Sequence, residues 1–407
     1  MRTPTKSPYS LRSTPRAATV PTRRLTGLPT YVFAWLDQLK AAARSRGASL
    51  IDLGIGNPDQ PTPPAVVAEI TRALSDPTNH GYPPFRGTRA FREAAAGFMA
   101  ERFGVAVDAE REVLCLSGAK EGLAQVTMAF VDEGGGSLVP DIYYPVHGRA
   151  TGLVGGSVYA LPLRAANGYL PRLDEVPADV ARRARVLFLN YPHNPTGAVA
   201  PLEFFEEAVA FCARHGLVLV SDLAYSEITF DGWKAPSVLQ VPGAKEVAVE
   251  LHSLSKSFNM AGSRVGFAVG GAPLIEALYA VRTNMGYGTP AAIQAGGAYA
   301  LAHARELTPP IAARYRERRD AGIAGFRALG WPADPPRAAM FLWLPVPAGF
   351  TSEQWTEHLV DATGVVVTPG NAFGPGGEGF FRVSLVAEVP VLREALDRVG
   401  RAGVRYR

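Results

Sequence analysis

Short, almost uninterrupted apolar runs recur between residues 112 and 270: EVLCLS (112–117), SLVP (137–140), SVYALP (157–162), RVLFLN (185–190), LVLVSD (217–222), VAVELHS (247–253) and VGFAVG (265–270). Runs this short that lack polar alternation read as strands buried on both faces. Helical spacings separate them, as in 118–131 with Leu123, Val126 and Phe130, and in 201–215 with Phe204, Phe205, Ala208, Val209 and Cys212. Strands alternating with helices predict a largely parallel, doubly wound α/β domain. Upstream, 31–46 aligns Val32, Trp35, Leu36, Leu39 and Ala43 on one helical face and ends at Gly47, before a strand SLIDL (49–53). Downstream come a long polar helix (306–329), MFLWLP (340–345), a helix near 352–363, FRVSLV (381–386) and a last helix from about 390. These predict a tail (1–24), an N-terminal segment contributing to a small domain (25–60), a large domain (61–300) and a small α/β C-terminal domain (301–407).

Composition narrows the classes. The 407 residues are 47% hydrophobic and 19% charged, with no apolar run near the roughly 18 residues of a membrane span. That predicts a soluble chain with no membrane partner. Two cysteines, neither in a CxxC, exclude a disulfide scaffold and fit a cytoplasmic location; Cys115 and Cys212 read as core residues. The net charge of +4 raises the question of a nucleic-acid partner. Six of the 41 basic residues, and no acidic ones, lie in residues 1–24; the other 35 face 37 acidic residues, so nucleic acid is not implied. The tail reads as a disordered or partner-clasping arm, though an Arg- and Ser-rich, acid-free start also has the look of a transit peptide.

Three segments carry chemistry. In LHSLSKSFNMAGSRVGF (251–267), a buried strand runs into Ser253, Ser255 and Lys256, with Arg264 eight residues beyond. An amine there can form a Schiff base with a carbonyl cofactor, and the hydroxyls and arginine suit a phosphate. Alone, Lys256 also reads as a solvent-facing strand end, and Ser-x-x-Lys also matches serine acylases, whose Ser-Asp-Asn and Lys-Thr-Gly partners are missing. NYPHNPTG (190–197) makes a rigid turn at Asn194, and SDLAYSEI (221–228) sets Asp222 and Tyr225 at the next strand end. All three fall at the carboxyl ends of strands, where open α/β sheets bind ligands.

In this order, the Asn-Pro-Thr-Gly turn, the Asp-x-x-Tyr pair and Ser-x-Ser-Lys followed by arginine resemble the fold-type I, class I/II pyridoxal 5′-phosphate aminotransferases over about residues 28–400. IDLGIGNPDQPTP, GYPPFRGTRAFREA and LSGAKEGLA are most similar to the branch holding LL-diaminopimelate aminotransferases and glutamate–pyruvate (alanine) transaminases. The resemblance implies a large domain with a mostly parallel seven-stranded sheet between helices plus a smaller C-terminal α/β domain. It implies transamination between an amino acid and a 2-oxo acid by a ping-pong mechanism, in a homodimer with shared active sites. Lys256 would be the Schiff-base lysine and general base, Asp222 the partner of the pyridine nitrogen, and Asn194 and Tyr225 the donors to the ring O3′. Gly118, Ala119, Lys120, Ser253, Ser255 and Arg264 would hold the phosphate, and Tyr144 would stack on the ring. Tyr82 would reach the phosphate of the neighbouring subunit. Arg382 would grip the substrate carboxylate beside Gly56, with Tyr31 and Gly286 to Thr289 as candidates for the side-chain pocket.

This sequence departs from the branch at Ser263, where tryptophan is common, and at Ile142 and Tyr143, where proline and threonine are common. These positions bear on substrate choice. The same scaffold also serves β-lyases, racemases and non-catalytic effector-binding modules; the last come with a DNA-binding domain, and 24 residues ahead of the matching region are too few for one. GPGGEG (374–379) satisfies G-x-G-x-x-G, but a strand follows where a dinucleotide site needs a helix. The seven histidines show no metal-ligand spacing, and Asp59 reads as a turn residue.

Overall fold

The computed structural model describes residues 22–26 and 32–406, so most of the basic tail, and Tyr31, lie outside the described residues. In chain order the strands are β1 (Ile51–Asp52), β2 (Val113–Leu116), β3 (Gly136–Pro140), β4 (Ser157–Leu161), β5 (Ala184–Leu189), β6 (Val218–Asp222), β7 (Ala248–Ser253), β8 (Gly266–Gly270), β9 (Phe341–Pro345), β10 (Val365–Val366), β11 (Thr368–Pro369) and β12 (Phe380–Ser384). The seven apolar runs form one sheet in the order β2-β8-β7-β6-β5-β3-β4. Only β8 runs against its neighbours, and the other pairings are parallel.

The lack of polar alternation has the expected cause. Successive residues of one strand enter different cores: Leu219 packs with Phe205, Leu254 and Phe267 on one face, and Val220 with Leu123, Val249 and Leu251 on the other. Each such side chain contributes roughly 1.5–3 kcal/mol of burial. The buried carboxylate of Glu250 in β7 is satisfied by Ser221 and Ser237 hydroxyls, the Val238 amide and His252.

Two helical features escape the periodicity. Residues 61–103 hold the helices Pro64–Leu74 and Arg89–Phe103, and both pack on Ala291–Ala302. The sequence of that third helix, AAIQAGGAYALA, shows no one-sided apolar stripe. Glycines explain why it fits there: a Cβ at Gly296 would strike Ile70, and one at Gly297 would strike Phe91.

The C-terminal layer is an antiparallel sheet, β11-β12-β9, covered by helices Ala304–Ala328, Ser352–Thr363 and Val389–Arg401. Phe326, Trp331, Trp355, Leu359 and Phe381 fill its core, and Leu53 packs there too. The predicted strand 49–53 shortens to Ile51–Asp52, which pairs with β10. Beyond Leu53, whose amide donates to the Val366 carbonyl, the chain turns away through Gly54. The predicted strand 381–386 likewise ends at Ser384, whose amide donates to the Leu53 carbonyl, while Leu385 still donates to Met340 in the β9 register. Among the described residues no helix is long and apolar enough to cross a membrane.

Candidate active site

A cavity of about 690 Å³ opens at the carboxyl ends of β5, β6 and β7, within the 300–1,000 Å³ usual for small-molecule sites. Alternation along β6 sends Ser221 toward Glu250 and leaves Asp222 to the cavity. β7 ends in the four-residue helical turn Leu254–Ser257, capped by the Ser253 side chain, and the turn presents Lys256. After β5, the Asn190 carboxamide oxygen accepts from the Asn194 amide, and its Nδ2 donates to the Asp222 carbonyl. This fixes the turn carrying Asn194 against the strand end carrying Asp222.

Asp222 is buried, and its two oxygens differ. Oδ2 lies 3.2 Å from His147 Nε2, while Oδ1 is buried with no hydrogen-bond partner among the described residues. A buried acceptor left unmade costs about 1–3 kcal/mol, more for a charged group. Such an atom on a cavity wall asks for a donor from a ligand.

Lys256 Nζ donates to the Gly56 carbonyl. Burial, then the charges of Arg382 and Arg264, push its pKa down to about 8. Burial foremost, with Arg264 and Arg149, also lowers Lys120. Burial raises the Tyr225 phenol, which therefore stays a donor, and its ring stands edge-on to Phe341 at 5.5 Å.

The anion cradle lies where β2 turns into helix Ala119–Phe130. Gly118 adopts φ 87°, and a Cβ there would fall 2.6 Å from Arg264 Nη2, so glycine lets the guanidinium lie against the helix N-terminus. Arg264 itself takes φ 52°, a left-handed conformation rare for a branched-out side chain, and donates to the Ala261 and Ser117 carbonyls. Opposite, Arg382 projects from β12 between the Phe341 and Phe373 rings, at 4.4 and 4.6 Å. Its Nη1 donates to Asn194 Oδ1 at 2.9 Å and its Nη2 to the Gly54 carbonyl at 2.6 Å. Among the described residues the cavity lining thus holds four cations, Lys120, Lys256, Arg264 and Arg382, against the single carboxylate Asp222. That field suits a ligand carrying more than one anionic group.

Of the residues singled out from sequence, Gly56, Ala119, Lys120, Tyr144, Asn194, Asp222, Tyr225, Ser253, Ser255, Lys256, Arg264 and Arg382 line this cavity, and Gly118 abuts it through Arg264. Tyr82 does not line it. Its ring is 80% exposed and stacks on Tyr287 at 4.0 Å. The stretch Gly286–Thr289 is also absent from the lining; Thr289 instead donates to the Leu116 and Arg264 carbonyls from behind. Sequence reasoning passed over Phe33, Asn57, Asn190 and Phe341, which do line the cavity, and His147 behind Asp222. Asn57 sits inside IDLGIGNPDQPTP and Asn190 opens NYPHNPTG, the readable signal of the set, whereas His147 lies three residues past Tyr144 in no such motif. Phe33 and Phe341 carried none, because aromatic residues on a helix and a strand read as core.

The profile of the family described as aminotransferase class I and II matches residues 48–399. The LL-diaminopimelate aminotransferase 2 of Nostoc sp. is 46% identical over 94% of this chain and 99% of its own length. The LL-diaminopimelate aminotransferase of Moorella thermoacetica is 46% identical over 93% of this chain and 97% of its own. Among solved structures, a substrate-bound BacF from Bacillus subtilis matches with a TM-score of 0.92 and 35% identity over 96% of this chain and 99% of its own. A probable N-succinyldiaminopimelate aminotransferase from Thermus thermophilus matches with a TM-score of 0.86 and 40% identity over 91% and 100%.

Proposed function

The chain belongs to the class I and II aminotransferases, and from that membership we propose that its cavity holds pyridoxal 5′-phosphate and that its amino donor is LL-diaminopimelate. Transamination itself, the exchange of an amino group between an L-amino acid and a 2-oxo acid in two half-reactions, follows from the family. The observation that carries the cofactor assignment is the orphaned Asp222 Oδ1, set in one cavity with the low-pKa amine of Lys256 and the Gly118–Arg264 anion cradle.

Pyridoxal phosphate, when bound, supplies an electron sink that makes the substrate Cα proton removable. Asp222 would accept from its pyridinium nitrogen through Oδ1, and His147 holds the other oxygen. The helix N-terminus at Gly118, Ala119 and Lys120, with Ser253, Ser255 and Arg264, would bind the phosphate. Tyr144 would cover the ring face. Arg382 occupies the Asn194 carbonyl oxygen, which leaves the Asn194 amide donors, with the Tyr225 hydroxyl, for the ring O3′. Lys256 would take the proton from the substrate Cα and deliver one to the cofactor carbon that keeps the amino group, and in the second half-reaction it would move a proton the opposite way, onto the Cα of the new amino acid. Arg382, whose planar fork matches a carboxylate, would orient the substrate so that the Cα–H bond points at that amine. We place Tyr82 at the phosphate of a second subunit, in keeping with its exposed ring, and take the enzyme to be a cytoplasmic homodimer.

The choice of LL-diaminopimelate is supported by relatives named LL-diaminopimelate aminotransferases that align with nearly the whole chain. With 2-oxoglutarate as acceptor, kcat/KM should be highest for LL-diaminopimelate in a panel that includes alanine and aspartate, followed by glutamate formation. A higher value for alanine would assign the chain to a small-side-chain donor instead.

The depressed amine makes a second expectation. With a pKa of about 8, about one Lys256 in ten is neutral at pH 7, against roughly one in three thousand for an ordinary lysine. Only the neutral amine attacks a carbonyl. Capture of pyridoxal phosphate by cofactor-free protein should therefore accelerate about tenfold per pH unit up to about 8 and then level off. A rate still climbing at pH 10 would show the amine to be unperturbed.

A further inference from the structure

We propose that Asp59 and Arg318 form a positioning clasp that sets the catalytic amine and the substrate-carboxylate arginine relative to each other. The proposal rests on the functional reading of Lys256 and Arg382 above. The backbone between β1 and Asp59 has little regular structure, yet two of its carbonyls are engaged by those side chains: Gly54 by Arg382 Nη2 and Gly56 by Lys256 Nζ. The Asp52 carboxylate fixes the near end of the segment by accepting from the Gly54 amide. The far end is fixed by Asp59, whose two oxygens accept from Arg318 Nη1 and Nη2, each at 2.7 Å. Arg318 lies midway along the helix Ala304–Ala328 with its side chain only 1% exposed. Its Nη1 also donates to the Leu385 carbonyl at 3.1 Å, three residues past Arg382, and its Nη2 to Glu388 at 3.2 Å. One buried guanidinium thus ties the loop that touches the amine to the strand that carries the carboxylate grip.

The chemistry suits a fixed spacer. Arginine cannot discharge by deprotonation, and a bidentate pair holds direction as well as distance. Hydrogen bonding to Arg318 keeps the Asp59 carboxyl below its usual range against the opposing effect of burial, so the clasp stays charged throughout the working pH range. Removing Asp59 would leave a buried charge short of its main partner and release the loop beneath Lys256. Asp59 touches no reacting atom; it acts through Gly56 and Arg382.

The test uses holoenzyme carrying Asp59→Asn, Asp59→Glu or the milder Glu388→Gln, with propionate as a carboxylate probe that cannot donate an amine. In Asp59→Asn, the propionate dissociation constant, read from the visible absorption of the bound cofactor, and the KM values of both substrates should rise roughly tenfold, while kcat changes less and cofactor content holds. Asp59→Glu should recover most of the loss, and Glu388→Gln should raise the same constants about two- to threefold. If Asp59→Asn folds and leaves propionate affinity and both KM values at wild-type levels, whatever its melting temperature, the clasp is only structural. If it does not fold, unchanged constants in Glu388→Gln overturn the proposal in the same way. Protein whose propionate affinity falls in Asp59→Asn but whose wild-type form transfers no amine would instead overturn the functional reading and leave the clasp standing.

Discussion

Lys256→Ala should lose the visible absorption of covalently held pyridoxal phosphate and fall in turnover by at least about 10⁴-fold, because one substitution removes both the nucleophilic amine and the base at the substrate Cα. Its partner contacts make the effect local. Among the described residues Nζ donates only to the Gly56 carbonyl, at the edge of a cavity where that carbonyl can meet water instead, and the flanking Leu254 and Phe258 stay in the core. The fold should survive, with a melting temperature near that of the wild-type protein. A variant that still transaminates at a wild-type rate would remove Lys256 from the chemistry and the aminotransferase site with it.

The second large effect is expected for Asp222→Asn. Because, among the described residues, Oδ1 has no partner and Oδ2 meets only His147, the isosteric amide exchanges little but the negative charge. An amide cannot keep the pyridine nitrogen protonated, so the electron sink weakens where charge develops. By analogy with the loss of one preorganised electrostatic group, kcat should drop about 10²–10³-fold with cofactor still bound. Single-turnover absorbance changes would show the loss in the proton-transfer step. A kcat within threefold of wild type would mean that Oδ1 serves something other than the ring nitrogen.

Much of this site was legible before folding because its residues cluster in short motifs at strand ends. NYPHNPTG, SDLAYSEI and LHSLSK each follow an apolar run, and a parallel sheet places the ends of such runs side by side. The sheet needed only local information as well: residues such as Leu219 and Val220 must be apolar in succession when both faces are covered. The less legible parts lacked that local signature. Helix Ala291–Ala302 is apolar and small on all sides, so its burial between two other helices follows from Gly296 and Gly297 meeting Ile70 and Phe91, not from a stripe. Tyr82 keeps its ring outside the cavity of its own chain. Asp59 had the composition of a turn and proves to be the anchor of a buried ion pair.

The sequence by itself determined the alternation of strands and helices and the order of the motifs, and it put Lys120, Lys256, Arg264 and Arg382 forward together as the cations of one site. Tertiary structure alone decided which groups hold these residues in place. Lys256 meets Gly56 across 200 residues, Asp59 meets Arg318 across 259, and Arg382 meets Gly54 across 328. The physical reason is range: hydrophobic periodicity and turn chemistry act over a few residues, whereas these contacts use backbone carbonyls and side chains whose sequence gives no sign of their partners. They become neighbours only when the C-terminal layer closes on the carboxyl ends of the seven-stranded sheet.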